Sequence, residues 1–442
     1  KELALQKQGT CFSFANDKLL NTFPLTCADK KWYDLVIREP GGTMRSKEHG
    51  GFTDAPFSGE APNTLVKKLT NKRMKEGEKC RAIFDWIARH IQYDVQAYRR
   101  KHYANQDASS VLRTRKAVCA GYANLFQSMA KEAGIETVTI SGYVKGFGFS
   151  VGDPMPRNQS NHAWNAARIA NTWQLVDCTW GAGFISGDDR YQQRYEPFYF
   201  CPPPQQFIYS HFPNDPQWQL LRDPVTPNTF INLPQVWPDF FKRGITLLNA
   251  PHGNLNAHGA LKLRFWAPEN ACLSAVLIDP GNNKFREYTF SQREDNEYAI
   301  MVAFRQTGIH ALEVYARDRV DDDPNNPDER VSSVILKYSI KAVSCDPNAP
   351  SFPATYGTFD DYNVQVECPL RKTLSAGRVE RFRIKVPGAK EAHVNYGKTW
   401  HPMRSSKGWF ETQLTVPLGP IQILARFPRS KQHWTLLQYD GA

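Results

Sequence analysis

In the stretch Val118-Cys119-Ala120-Gly121-Tyr122 a cysteine stands where a helical pattern begins. A thiol in the first turn of a helix meets unsatisfied backbone N–H groups and the positive end of the helix dipole. Both favour the thiolate, which is the nucleophilic form. Gly121 leaves room for a substrate or a second backbone to come close. Arg113, Arg115 and Lys116 precede the thiol and read as a solvated basic loop. A thiolate that attacks an amide also needs a base, and the base needs a group to hold it. Asn161-His162-Ala163-Trp164 and Val176-Asp177-Cys178-Thr179-Trp180 supply both downstream. The expected roles are Cys119 as nucleophile, His162 as base and Asp177 as orienter. A histidine held in this way has its tautomer fixed and its imidazolium stabilised.

Each of the three has an ordinary structural reading when taken alone. A buried thiol, a histidine opening a strand and an aspartate in a turn are all common in protein cores. What selects them is their order and placement, a thiol at a helix start followed by a histidine and an aspartate on neighbouring strands. Cys178, beside Asp177 on the same expected strand, should face the other way and serve as core.

The elements that must position these groups are legible from periodicity. Leu65, Val66 and Leu69 mark a short helix, and Cys80, Ile83, Phe84, Ile87 and Ile91 form an amphipathic stripe over a helix near 76–90. Cys80 on that stripe is a core thiol. A third helix starts at Cys119, runs through Tyr122, Phe126, Met129 and Ala130, and stops at Gly134. The period then changes to two, predicting strands over 137–144, 162–169 and 172–178, with a Gly/Pro/Asn-rich loop over 146–161. A hairpin turn centred between residues 169 and 170 would place 162 opposite 177. Helices followed by an antiparallel sheet give an α+β domain.

Residues 1–60 read as an N-terminal arm whose anchors, Phe12, Phe14, Trp32 and Tyr33, have the apolar area to cover Cys119. Residues 61–235 read as the catalytic domain, closed by an irregular proline-rich segment that includes Pro202, Pro203, Pro204, Pro213 and Pro216. From about 250 the helical period is lost. Alternation at Leu261, Leu263 and Phe265, at Leu312, Val314 and Ala316, and at Phe382, Ile384 and Val386 predicts two β-sandwich modules, 250–345 and 350–442. The acidic run 321–328 lacks calcium-loop spacing and reads as a hairpin tip.

The 442 residues, 41% hydrophobic, can build several cores, and no run is long and apolar enough to span a membrane. The first residues, KELALQKQGT, lack both an apolar leader and an initiator Met and read as the start of a fragment. Nine cysteines at irregular spacing, without CxxC pairs or zinc-type spacing, fit a reducing compartment; no metal or cofactor site is expected. The formal charge of +11 is read as a soluble basic surface, since no nucleic-acid reader motif accompanies it.

The three motifs, Val118-Cys119-Ala120-Gly121-Tyr122, Asn161-His162-Ala163-Trp164 and Val176-Asp177-Cys178-Thr179-Trp180, resemble those of the transglutaminase-like superfamily. Gln206-Phe207-Ile208-Tyr209-Ser210-His211-Phe212-Pro213 with Trp218-Gln219-Leu220-Leu221 narrows the resemblance to the kyphoscoliosis peptidase and hillarin branch. The resemblance implies a papain-like core followed by Ig-like β-sandwich modules, and cysteine peptidase or glutamine acyl-transfer chemistry by Cys119, His162 and Asp177. It further implies a cytoplasmic, cytoskeleton-associated protein with filamin-type partners. The alternative it leaves open is a cytoskeletal scaffold that retains the three residues without turnover.

Overall fold

In the computed structural model, residues 61–155, 160–319, 332–428 and 430–442 are described. The expected N-terminal arm and the acidic run 321–328 lie outside them. The chain divides after Ile231 into two compact units.

In the first unit, helix α1 (Glu76–His90) buries Cys80, Ile83, Phe84 and Ile87, the stripe that specifies it. Its start is fixed by Glu78, whose carboxylate accepts the Lys75 N–H at 2.6 Å. Helix α2 (Cys119–Glu132) buries Tyr122, Leu125, Phe126 and Met129, and Gly134 beyond its end takes φ +80°, a left-handed conformation that glycine adopts without strain. The Tyr122 hydroxyl donates to the Ile91 carbonyl at 2.7 Å and ties α2 to the end of α1.

Four antiparallel strands complete the unit: β1 (Thr137–Val144), β2 (His162–Ile169), β3 (Thr172–Val176) and β4 (His211–Pro213), in the order β3-β2-β1-β4. The hairpin differs from expectation. Ala170 and Asn171 both have positive φ and form a two-residue turn, which pairs Ile169 with Thr172 and Asn165 with Val176. Residue 162 is therefore not opposite 177. The third strand also stops at Val176 rather than 178, because the Asp177 side chain takes the backbone N–H groups of Thr179 and Trp180 and caps helix α3 (Cys178–Ala182). A side chain that satisfies backbone donors locally competes with the strand ladder, and here it wins. Cys178 is core as expected, but as the first residue of α3 and not by strand alternation.

The proline-rich segment is more ordered than its composition implies. It contains helix Pro204–Phe207 and strand β4, which pairs Val144 with His211 and Gly142 with Pro213. Gly142 makes this docking possible, since a Cβ there would lie 2.3 Å from the Phe212 carbonyl oxygen and 2.5 Å from the Trp164 ring.

The second unit is built from strands, as its alternating pattern requires. In the first sandwich β5 (Asn254–His258), β6 (Ala260–Trp266), β7 (Ala271–Ile278), β8 (Thr289–Glu294), β9 (Glu297–Ala303), β10 (Gly308–Asp318) and β11 (Ser333–Ser344) share one sheet of ten strands. It runs β7-β10-β11-β5-β6-β9-β8, and the Thr289 hydroxyl donates to the Ala275 carbonyl at 2.7 Å, so β8 returns onto β7. The second sandwich packs β12 (Gln365–Cys368), β13 (Val379–Lys385) and β16 (Trp409–Thr415) against β14 (Glu391–Tyr396), β15 (Thr399–Pro402), β17 (Gly419–Arg426) and β18 (His433–Gly441). One apolar cluster, including Phe290 and Met301 from the first sandwich and Phe352, Phe382 and Tyr439, runs through both.

The close approach at Gly142 is testable. Gly142→Ala should destabilise the β1–β4 pairing by about 2 kcal/mol, the ordinary penalty for overpacking. Amide exchange of Tyr143 and of Lys145, whose N–H donates to the Ser210 carbonyl, should then be about thirtyfold faster; an unchanged rate would show that β4 is not held by this contact.

Candidate active site

Cys119 is the first residue of α2, so its own N–H has no partner within the helix. The preceding N–H, of Val118, is taken by the Gln106 side-chain oxygen at 3.0 Å, which anchors the entry to the helix. Gly121 does not face a substrate. A Cβ there would meet the Gln106 oxygen at 2.4 Å, Ala117 at 2.7 Å and Val111 at 3.0 Å, so the glycine serves close packing against the preceding segment. Arg115 is not simply solvated either, since its guanidinium lies 4.7 Å from the Trp86 ring centre.

His162, buried at the start of β2, brings Nε2 to 2.7 Å from Asp177 Oδ2. Its other nitrogen, Nδ1, is left for Cys119, with which the ring makes a side-chain hydrogen bond. The structure thus brings all three expected residues together. It does so by side-chain reach from a strand start, a helix start and a helix cap, not by the cross-strand pairing that the sequence suggested.

A fourth residue completes the cluster. His211, on β4, is fully enclosed and places its Nε2 2.9 Å from the same Asp177 oxygen. The Ser210 hydroxyl lies 2.8 Å from His211 Nδ1. Phe207 stacks on the imidazole at 3.8 Å, and Trp180 meets it edge-on at 4.6 Å. With Ser210 donating to Nδ1, the proton of a neutral His211 sits on Nε2 and points at Asp177. In the sequence this histidine stands out only as part of the motif Gln206–Pro213. Its chemical place was hidden because the segment reads as an irregular proline-rich loop.

Asp177 accepts four hydrogen bonds. Oδ1 takes the N–H groups of Thr179 at 2.8 Å and Trp180 at 3.0 Å, and Oδ2 takes the two imidazoles. Burial would raise its pKa, yet the charge and hydrogen bond of His162 and the bond from His211 hold it far below the usual carboxylate range. Burial would likewise lower the pKa of His162. The Asp177 charge and its hydrogen bond, then the Cys119 contact, push it up to about 10. For His211 burial dominates, and the pKa falls to about 4 despite the Asp177 bond. Burial also works against the Cys119 thiolate, but the hydrogen bond and charge of His162, with the Ala163 backbone N–H, bring the thiol below its ordinary value. The result at neutral pH is an imidazolium at His162, a carboxylate at Asp177 and a neutral imidazole at His211, with the Cys119 thiol biased towards its thiolate. Tyr93 and Tyr98, with rings 6.0 Å apart, stand beside the thiol. Burial first, and then the Cys119 charge, raise both phenol pKa values.

Donor atoms of His162, Asp177 and His211 lie within 4.8 Å of one another. Both Nε2 atoms are already engaged with the carboxylate oxygen, so this inner group is satisfied by hydrogen bonds. None of the seven described cysteines is in a disulfide.

Comparison with known proteins gives this geometry a family. Residues 63–178, which hold Cys119, His162 and Asp177, match the transglutaminase-like superfamily, and residues 227–353 match the KY-like, immunoglobulin-like domain. The chain therefore carries a transglutaminase-like core followed by a KY-like immunoglobulin-like module. It is 31% identical over 283 residues to kyphoscoliosis peptidase of Mus musculus, covering 63% of this chain and 40% of that protein. It is 30% identical over 241 residues to hillarin of Drosophila melanogaster, covering 50% of this chain and 28% of hillarin. With the Lim and transglutaminase domain protein ltd-1 of Caenorhabditis elegans it shares 28% identity over 243 residues, 51% of this chain and 32% of that protein. The chain spans less than half the length of each of these relatives. Among the described residues no helix is long and apolar enough to cross a membrane.

The ion pair predicts a pH dependence. The Cys119 thiol is lowered by His162, so its alkylation rate should reach its plateau below the ordinary thiol pKa of about 8.5. In His162→Ala the hydrogen bond and charge that lower the thiol most are lost while burial and the Asp177 charge remain, so the midpoint should rise. Iodoacetamide rates at the Cys119 peptide, followed by mass spectrometry across pH, measure both; superimposable curves would contradict the assignment.

Proposed function

We propose that this chain performs thiol-dependent acyl transfer from an amide, with Cys119 as nucleophile, His162 as acid and base, and Asp177 as orienter. The observation that carries the reading is the continuous hydrogen-bonded path from Cys119 through His162 to Asp177, with the thiol pKa lowered at its outer end. The thiolate attacks the amide carbonyl carbon and a carbon–sulfur bond forms. The oxyanion is met by backbone N–H groups at the start of α2, that of Cys119 among them. The carbon–nitrogen bond then breaks, and the proton on His162 Nδ1 passes to the departing nitrogen, leaving a thioester and a neutral imidazole. Water, or a lysine amine, adds to the thioester as His162 takes its proton. The acyl group leaves as an acid or a new amide, and the thiolate–imidazolium pair is restored.

In this reading His211 is a positioning residue. Its neutral N–H donates to Oδ2, the same Asp177 oxygen that His162 uses, and so holds the carboxylate in one orientation towards His162. In this reading the substrate is a protein, and the motif resemblance suggests a cytoplasmic role on cytoskeletal proteins of the filamin type.

The test uses an acyl-donor protein rich in glutamine together with a biotinylated primary amine. Amine incorporation reports transfer and new peptide termini report cleavage. Cys119→Ala should remove either signal by a factor of about a thousand or more, because the nucleophile is lost, with little change in melting temperature. Turnover equal to the unsubstituted protein would reject Cys119 as the nucleophile.

A further inference from the structure

We propose that Glu391, His393 and His433, on the second β-sandwich, form a two-histidine, one-carboxylate binding site for a divalent transition-metal ion such as Zn²⁺. The linear sequence shows no zinc-type spacing, because the ligands lie forty residues apart and are gathered by the sheet. Glu391 and His393 sit two apart on β14 and share a face. Register pairs Glu391 with Arg426 on β17, and Arg426 with His433 on β18, so Glu391 and His433 lie in one row across three strands.

One ligand atom from each of the three residues lies within 4.8 Å of the others. His433 Nε2 is 3.0 Å from Glu391 Oε1. Two ligands of one tetrahedral Zn²⁺ are about 3.3 Å apart at ordinary bond lengths, so the Glu391–His433 pair needs little adjustment and His393 closes in from within 4.8 Å. His393 Nδ1 is buried and has no hydrogen-bond partner. An orphaned, enclosed imidazole nitrogen is costly unless something pairs with it, and a metal ion would do so. The ring of Trp400 stands 5.6 Å from His393 and 5.0 Å from His433 and walls the site on one side.

Arg426 is the one cation in the row, and its Nε donates to Glu391 Oε1 at 2.7 Å. That contact places a positive charge on the carboxylate from the sheet side and holds its orientation. Carboxylate ligands are commonly held by such outer hydrogen bonds, and Arg426 fills that role while lowering the affinity through its charge. Two imidazoles with one carboxylate suit Zn²⁺, Cu²⁺ or Ni²⁺ and not Ca²⁺ or Mg²⁺, which take oxygen donors.

The experiment is a calorimetric titration of the full chain carrying Cys119→Ala, which removes the reactive thiolate as a competing ligand. Zn²⁺ should bind at one equivalent, in the presence or absence of excess Mg²⁺. His433→Ala and His393→Ala, each checked for an unchanged melting temperature without metal, should weaken binding about tenfold or more. As a second readout, saturating Zn²⁺ should raise the melting temperature of the parent and not that of either histidine variant. If one variant folds poorly, the other carries the test. No saturable Zn²⁺ binding, or binding equally tight in both variants, would overturn the site.

Discussion

The first unit is organised around one buried carboxylate. Asp177 is fully enclosed, and an isolated charge there would cost several kcal/mol. Four donors offset that cost, and each shapes the surroundings. The two backbone N–H groups end strand β3 and start helix α3. The two imidazoles fix the start of β2 and the position of β4. Removing the carboxylate would therefore release a helix cap and leave two buried N–H donors unpaired, so the same group governs folding and chemistry.

Its two histidine partners show how environment, not residue type, decides protonation. Both bond the same oxygen, yet one is pushed up to about 10 and the other down to about 4. His162 has the Cys119 thiol on its second nitrogen, biased towards the thiolate, so its positive charge is supported from both sides. His211 has Ser210 on its second nitrogen and aromatic rings against its faces, with no further anion to support a charge. One carboxylate stabilises one imidazolium here, and the outer one wins. The charge thus sits at the solvent side of the cluster, next to the thiol. The inner ring stays neutral and rigid.

Much of this was legible in the sequence. The stripe over 76–90, the helix starting at Cys119 and the strands over 137–144 and 162–169 are strong periodic signals, and the structure has them. So were the residue types and order of Cys119, His162 and Asp177. The register was not legible, because a two-residue turn at Ala170-Asn171 differs from the expected turn by a single position, and period-two alternation alone cannot fix that. Asp177 was read as a strand residue because a helix of five residues leaves no period to detect. His211 was missed for a related reason: three residues of strand among prolines carry no pattern, and only the Gly142 approach on a distant strand shows where they dock. The Glu391, His393 and His433 grouping depends on register across three strands, which spacing in the chain does not encode.

The account stands on the division of charge around Asp177, and nitrogen NMR of the chain labelled at histidine measures it directly. The His162 signals should remain those of an imidazolium from neutral pH up to about 10, while His211 stays neutral, protonated on Nε2, down to about pH 4. If both rings instead titrate together near the free-histidine value of about 6.5, the thiolate–imidazolium pair is absent at rest and the central claim fails.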